Sequence, residues 1–346
     1  MNTKSTSSLS SLVALFAFTA MAAGTANAKY TAEALTVADM PAGDALSIGQ
    51  ISSDGQLIMM YAFNPSTFLT DAVYVYNRST HKVSTLPMDP DAVPGTMNPL
   101  GINDQGLMVG SYLSSTATVP AWAATIGYQP YQAFVFDPSS GIYYNYNAAK
   151  EINPSDWVNC QAVGVNSLGM IAGVYENGGG EQGYILANIR VEHVKEFYKT
   201  IDVLPQGTII MTPPFVGYNG GRTQPQAINN LGQVVGYYTD AKTVAAIGTQ
   251  GFRWDPITGF TTLNVPGNVS NQAFAINDEG VIVGNTYNPS GTTNGDGFIY
   301  SRGKYTIYDY PGAAFTGLWG VSDGGVIVGE FQNADGTYGA FMLTPD

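Results

Sequence analysis

One phrase occurs six times in this chain, and its composition restricts it to a tight antiparallel hairpin. Aligned on a glycine, the copies are GQISSDGQLIMMY (Gly49 to Tyr61), LGINDQGLMVGSY (Leu100 to Tyr112), VGVNSLGMIAGVY (Val163 to Tyr175), QAINNLGQVVGYY (Gln226 to Tyr238), FAINDEGVIVGNT (Phe274 to Thr286) and WGVSDGGVIVGEF (Trp319 to Phe331). The aligned glycines are Gly55, Gly106, Gly169, Gly232, Gly280 and Gly325, at spacings of 51, 63, 63, 48 and 45 residues. A short Asn or Ser side chain three residues earlier bonds turn backbone, and the glycine takes the positive φ such turns need. A second glycine recurs four residues on, at Gly110, Gly173, Gly236, Gly284 and Gly329, with Met59 in the first copy. Glycine inside a strand marks close approach by another group. An aromatic follows at Tyr61, Tyr112, Tyr175, Tyr238 and Phe331, a position that suits packing between units.

Each hairpin is followed by a third apolar run, such as QAFVF from Gln132, QGFRW from Gln250, DGFIY from Asp296 and GAFML from Gly339. A turn and a fourth run follow, as in IYYNYN from Ile142 and YTIYDYP from Tyr305. Four antiparallel strands in 45 to 63 residues is the scale of a propeller blade. The last unit stops after its third strand, at Leu343, while Glu33 to Pro41 reads as an orphan fourth strand. The chain therefore reads as all-β, a six-bladed β-propeller with four antiparallel strands per blade, closed by the N-terminal strand joining the last blade. The rival is a linear solenoid, whose end units should look like caps; these do not.

The GINDQGLMVG hairpin and the QAF, QGF, DGF and GAF triplets resemble the HAF-type extracellular repeat, over essentially all of the chain after its leader. The leading His of the family triplet is replaced, by Gln132, Gln250, Asp296 and Gly339 among others. The resemblance implies an exported, propeller-like protein and no defined activity.

The first residues carry Lys4, an apolar run from Leu12 to Ala23, and Ala26-Asn27-Ala28. That is the pattern of a secretory signal peptide over 1–28, leaving one propeller domain over 29–346 that is secreted, periplasmic or extracellular. The apolar run is too short to span a bilayer, and no later stretch is long enough. The sequence has 13 Lys and Arg against 26 Asp and Glu, a net charge of −13. Such a chain repels nucleic acid and anionic membranes, so neither is expected as a partner. Cys160 is the single cysteine and excludes an intramolecular disulfide; with no His or basic residue beside it, it reads as a small buried side chain.

Alternating strand direction puts the variable loops on one face of the ring, and variable loops on a rigid scaffold are where binding concentrates. The longest, Leu113 to Tyr131, Asn147 to Gln161 and Gln206 to Gln224, come from blades 2 to 4. They nominate Trp122, Tyr128, Tyr131, Asp156, Trp157, Phe215 and Tyr218 as ligand-binding residues, with Glu151 and Arg222 as further charges. Aromatics beside a few polar groups suit a glycan or an extracellular protein partner. The alternative for these rings is a satellite core beneath the loops. The functional expectation is a non-enzymatic recognition protein, monomeric and without a resident cofactor. The competing expectation is a metal-dependent hydrolase or polysaccharide lyase, with calcium at the axis or with Tyr218 and Arg222 as an acid–base pair. His81 and His193 fall near connections on the opposite face, and neither has metal-ligand spacing.

Overall fold

The computed structural model describes residues 30–125, 127–147, 155, 157–178, 180–186, 209–211, 222–239, 248–287 and 295–346. The expected leader, 1–28, lies outside the described residues. The strands form six four-stranded antiparallel sheets, each a blade with strands a to d from the axis outward. Strand a is Ala45–Ile51, Asn98–Ile102, Asn159–Val165, Arg222–Ile228, Ser270–Ile276 and Phe315–Val321 in blades 1 to 6. Strand b is Leu57–Phe63, Met108–Leu113, Ile171–Asn177, Val234–Thr239, Ile282–Tyr287 and Ile327–Gln332. In blade 6 strand c is Tyr338–Pro345, and its outer partner is Tyr30–Leu35, with Glu33 opposite Met342. The pairing segment thus starts three residues earlier than the Glu33 to Pro41 expectation and ends at Leu35, after which the chain turns toward blade 1.

Six apolar clusters hold the blades together, and each is shared by two neighbours. One joins blades 2 and 3 through Val109, Val135, Cys160 and Tyr184. Another joins the last blade to the first through Val328, Met342, Ile48 and Met60. Burying one large apolar side chain stabilises by about 1.5–3 kcal/mol, so these seams are the main cohesive term.

The repeat phrase is explained by two steric facts. A Cβ on Gly329 would lie 2.3 Å from Gly317 O and 2.6 Å from the Phe341 ring. The strand b glycine is therefore the seat of the strand c aromatic, the Phe of the GAF and QAF triplets, as in the register pairs Gly110 with Phe134 and Gly284 with Phe298. Nearer the turns, a Cβ on Gly164 would meet Ala227 Cα at 2.9 Å, and one on Gly101 would meet Gly164 Cα at 3.0 Å. Neighbouring inner strands approach backbone to backbone there, so a side chain on Gly101 or Gly164 would press on the next blade.

Blade 1 departs from the sequence alignment by one residue. Ser52 N donates to Leu57 O, whereas Asn103 N donates to Leu107 O, so Gln56 is an extra turn residue. Met60, opposite Tyr74, occupies the glycine position, and Met59 does not. Tyr61 is consequently equivalent to Ser111, Tyr237 and Glu330, not to Tyr112. A one-residue slip sends a strand side chain to the opposite face.

The turn asparagines reach beyond their own turns. Asn103 Nδ2 donates to Asn166 O (3.1 Å), Asn166 Nδ2 to Asn229 O (2.9 Å), Asn229 Nδ2 to Asn277 O (3.0 Å) and Asn277 Nδ2 to Ser322 O (2.8 Å). Where serine replaces asparagine, backbone takes over: Asp323 N donates to Ser53 O (2.8 Å) and Asp54 N to Asp104 Oδ1 (2.8 Å). Six separate sheets are thereby stitched turn to turn around the ring.

Candidate ligand-binding site

Every strand a carries the same bulge. Its register shifts at 48/51, 99/101, 162/164, 225/227, 273/275 and 318/320. A bulge leaves one residue unpaired and re-aims it. The re-aimed side chains meet at the axis: Gln50 Nε2 of blade 1 donates to Phe274 O of blade 5 (3.1 Å) and Trp319 O of blade 6 (2.7 Å). The Phe274 and Trp319 rings lie 4.2 Å apart, with Tyr237 at 6.4 Å from Phe274. These groups plug the axis below the loop face.

Between the plug and the loop face, the inward positions change character. Strand a supplies Ser47, Asn98, Gln161, Gln224 and Gln272, and strand b supplies Tyr61, Ser111, Tyr237, Asn285 and Glu330. On the side of blades 6, 1, 2 and 3 these walls enclose a cavity of ≈ 560 Å³ that opens on the loop face. That lies within the range of small-molecule sites, about 300–1,000 Å³. Its apolar wall is Tyr61, Phe63, Phe68, Leu69, Tyr131 and Tyr338. Its polar wall is Ser47, Thr70, Thr96, Asn98, Ser111 and Gln161, with Glu330 the one ionisable carboxylate. Phe63 organises the aromatic side, stacked with Phe68 at 6.1 Å and edge-on to Tyr338 at 5.4 Å. At the rim, Phe68 is 69% exposed and Leu69 42%, and Phe68 is held at φ 57°. A positive φ is costly for a bulky residue, so the surrounding loop forces this ring outward over the cavity.

Glu330 sits in strand b of blade 6, where its Oε2 accepts the Ser47 hydroxyl from blade 1. Burial pushes its carboxyl above the usual range, while Ser47 and the nearby Trp319 indole partly hold the charge in place. The Trp319 N–H completes no hydrogen bond of its own. Burial, with the Glu330 charge behind it, pushes the Tyr61 hydroxyl up to about 12, so it stays a protonated donor. No described Lys or Arg pairs with Glu330; the ion pair found among the described residues joins Arg222 to Glu181 at 3.7 Å.

The sequence-nominated residues distribute differently from expectation. Tyr131 lines the cavity. Trp122, on a short helix (Ala121–Thr125), packs edge-on with Tyr128 at 6.4 Å, and Tyr128 donates to Glu176 Oε1 at 3.1 Å. These two rings form a strut from blade 2 to blade 3, outside the cavity lining. Trp157 is 6% exposed and packs with Val109, Cys160 and Tyr175, so it belongs to a seam and offers no ligand surface. Arg222 is held by Glu181, whose other oxygen accepts Gln224. Glu151, Asp156, Phe215, Tyr218 and His193 lie outside the described residues. His81 is exposed in a turn, its Nδ1 within 3.0 Å of the Tyr76 hydroxyl. Among the described residues no group of three or more His, Cys, Asp or Glu is placed to hold a metal ion. Cys160 is fully buried, its thiol 3.5 Å from the Tyr184 hydroxyl.

Sequence reasoning missed Glu330, Ser47, Phe63, Phe68 and Tyr338. A usable signal existed: the residue after the recurrent strand b glycine varies through Ser111, Val174, Tyr237, Asn285 and Glu330, while the glycine before it is constant and the residue after it is aromatic in all but Thr286. Variation inside an otherwise constant phrase marks the wall that faces the funnel.

No family model and no curated protein matches the chain. Among solved structures, AofleA from Arthrobotrys oligospora is similar at 12% identity and a TM-score of 0.48, over 87% of this chain and 82% of that one. The β-propeller domain of the Trilobed protease from Pyrococcus furiosus, described as having an open velcro topology, is similar at 11% identity and a TM-score of 0.46. That match covers 96% of this chain and 95% of the other.

Proposed function

We propose that this chain is an exported binding propeller of the HAF-repeat type whose axial funnel takes a saccharide. One observation carries the reading: a cavity of ≈ 560 Å³ is lined by aromatic rings together with neutral amides and hydroxyls. A pyranose has the complementary surface, with C–H faces that stack on Tyr61 and Tyr338, and edge hydroxyls that pair with Asn98 and Gln161. The cavity that supports this reading lies over blades 6, 1, 2 and 3 and shares Tyr131 with the nominated blade 2 to 4 loops. The test is titration calorimetry against a panel of soluble oligosaccharides, with Tyr61→Ala and Trp122→Ala beside the wild type. The reading expects Tyr61→Ala to abolish binding and Trp122→Ala to retain it; the reverse pattern would move the site to the blade 2 strut.

We also infer that Tyr30–Leu35 is the clasp of the ring. It covers the edge of Tyr338–Pro345 over six register pairs, Tyr30 with Pro345 through Leu35 with Ala340. An uncovered edge is prone to pair with other chains. A chain starting at Thr36 should aggregate and recover a monomeric state when a peptide spanning 30–35 is added; a monomeric, equally stable truncated chain would refute the clasp.

A further inference from the structure

Resting on the saccharide reading, we propose that the funnel selects an amino sugar, with the ligand's ammonium seated between Glu330 and the Tyr61 ring. Three features of the cavity point to a cationic group. First, Glu330 is the one carboxylate among its lining residues, and no described Lys or Arg neutralises it. A half-buried carboxylate without a cationic partner is costly, and sequence freedom at this strand position, filled by Ser111 or Asn285 in other blades, would let it be replaced. Second, Oε2 accepts the Ser47 hydroxyl and the neutral Trp319 indole is the other donor beside the carboxylate, so no cation meets it among the described residues while Glu330 lines a cavity open to ligand. Third, the lining beside Glu330 is aromatic, with Tyr61 and Phe63 at a 6.2 Å centroid separation and Tyr338 edge-on to Phe63 at 5.4 Å. Aromatic faces attract ammonium groups through the ring quadrupole, and the neighbouring carboxylate supplies the counter-charge. The chain's net charge of −13 draws cations toward it at long range.

The groups that face Glu330 decide whether an ammonium is tolerated there. Ser47 and Trp319 present donors, Tyr61 and Tyr287 present phenols whose ionisation burial opposes, and Gly317, its strand partner, presents none. None is cationic, so a ligand ammonium meets no like charge.

The experiment compares three β-1,4-linked oligomers of equal length: glucosamine, N-acetylglucosamine and glucose. Titration calorimetry is run at a pH that keeps the amine protonated. Wild-type protein should bind the glucosamine oligomer about tenfold more tightly than either neutral oligomer, the value of one charge-assisted contact. In Glu330→Gln the ratio should fall to about one, with a thermal melt to show that the variant is folded. A second measurement needs no variant: tetramethylammonium should displace the glucosamine oligomer from wild-type protein where the same concentration of sodium does not. Equal wild-type affinity for all three oligomers, or a ratio retained in Glu330→Gln, would overturn the ammonium seat and leave the saccharide reading standing. Binding of none of the three would overturn both.

Discussion

The ring of turn asparagines makes a quantitative prediction, best posed at Asn166. The residue is 1% exposed. Its Oδ1 accepts Leu168 N at 3.1 Å and Met170 N at 2.8 Å within its own turn, and its Nδ2 donates to Asn229 O of the next blade at 2.9 Å. Asn166→Ala removes all three bonds and strands the Met170 N–H, while the Asn229 carbonyl keeps Gly232 N at 3.0 Å. A stranded buried N–H costs about 1–3 kcal/mol and the lost inter-blade bond about 0.5–1.5 kcal/mol, so the loss should be about 2–4 kcal/mol. Asn166→Asp separates the two roles. It keeps the acceptor that closes the turn and replaces the inter-blade donor by an oxygen facing a carbonyl oxygen. At neutral pH this variant should be destabilised, because burial and the facing carbonyl both oppose the new charge. The introduced carboxyl's folded-state pKa is thereby raised above the unfolded value, so stability should be lost above the folded pKa. It should return as the pH falls toward the ordinary carboxylate range, where the protonated side chain can again donate to Asn229 O. Urea unfolding of wild type and both variants, at neutral and acidic pH, reads this directly through the transition midpoint at constant slope. An Asp variant as stable as wild type at neutral pH, or one whose deficit does not shrink on acidification relative to Ala, would refute the inter-blade bond as a contributor.

Glu330 should behave in the same sense. Its carboxyl is raised by burial, so its ionisation removes stability above the folded pKa and the deficit disappears below the usual carboxylate range. Glu330→Gln should therefore unfold at a higher urea midpoint than wild type at neutral pH, with the advantage vanishing in acid; a lower midpoint at neutral pH would contradict the assignment. Gly164→Ala should cost about 1–3 kcal/mol in the same urea assay, because its Cβ would meet Ala227 Cα at 2.9 Å, and backbone cannot swing aside as a side chain does. Trp157→Ala should cost about 3–5 kcal/mol and leave ligand affinity intact, a seam residue having been lost; a stable variant without affinity would restore the loop-site reading.

The scaffold is legible in the sequence because its constraints repeat. Gly110, Gly173, Gly284 and Gly329 each answer to the same ring-on-backbone contact, and repetition turns one weak signal into several. The first blade misaligns because Gln56 lengthens its turn by one residue while Tyr61 keeps the aromatic cadence. The turn hydrogen bonds and the pairing of Met60 with Tyr74 reveal the slip. The site is less legible for a related reason. Aromatics in long loops draw attention, yet Trp157 turns inward to a seam and Trp122 leans on Tyr128. The funnel is built from single inward positions scattered over Ser47, Ser111, Gln161 and Glu330, which only strand pairing and a bulge in every inner strand bring to one place. Tyr131 is the exception, because it lies at the junction of loop and strand and so belongs to both patterns.

The most direct test of the funnel as the binding site is a crystal structure of the protein with a bound oligosaccharide identified by the calorimetric panel. The account predicts a sugar ring inside the cavity, stacked on Tyr61 or Tyr338 and within hydrogen-bonding distance of Glu330 or Gln161. Ordered sugar against Trp122 and Tyr128, with the funnel empty, would contradict it.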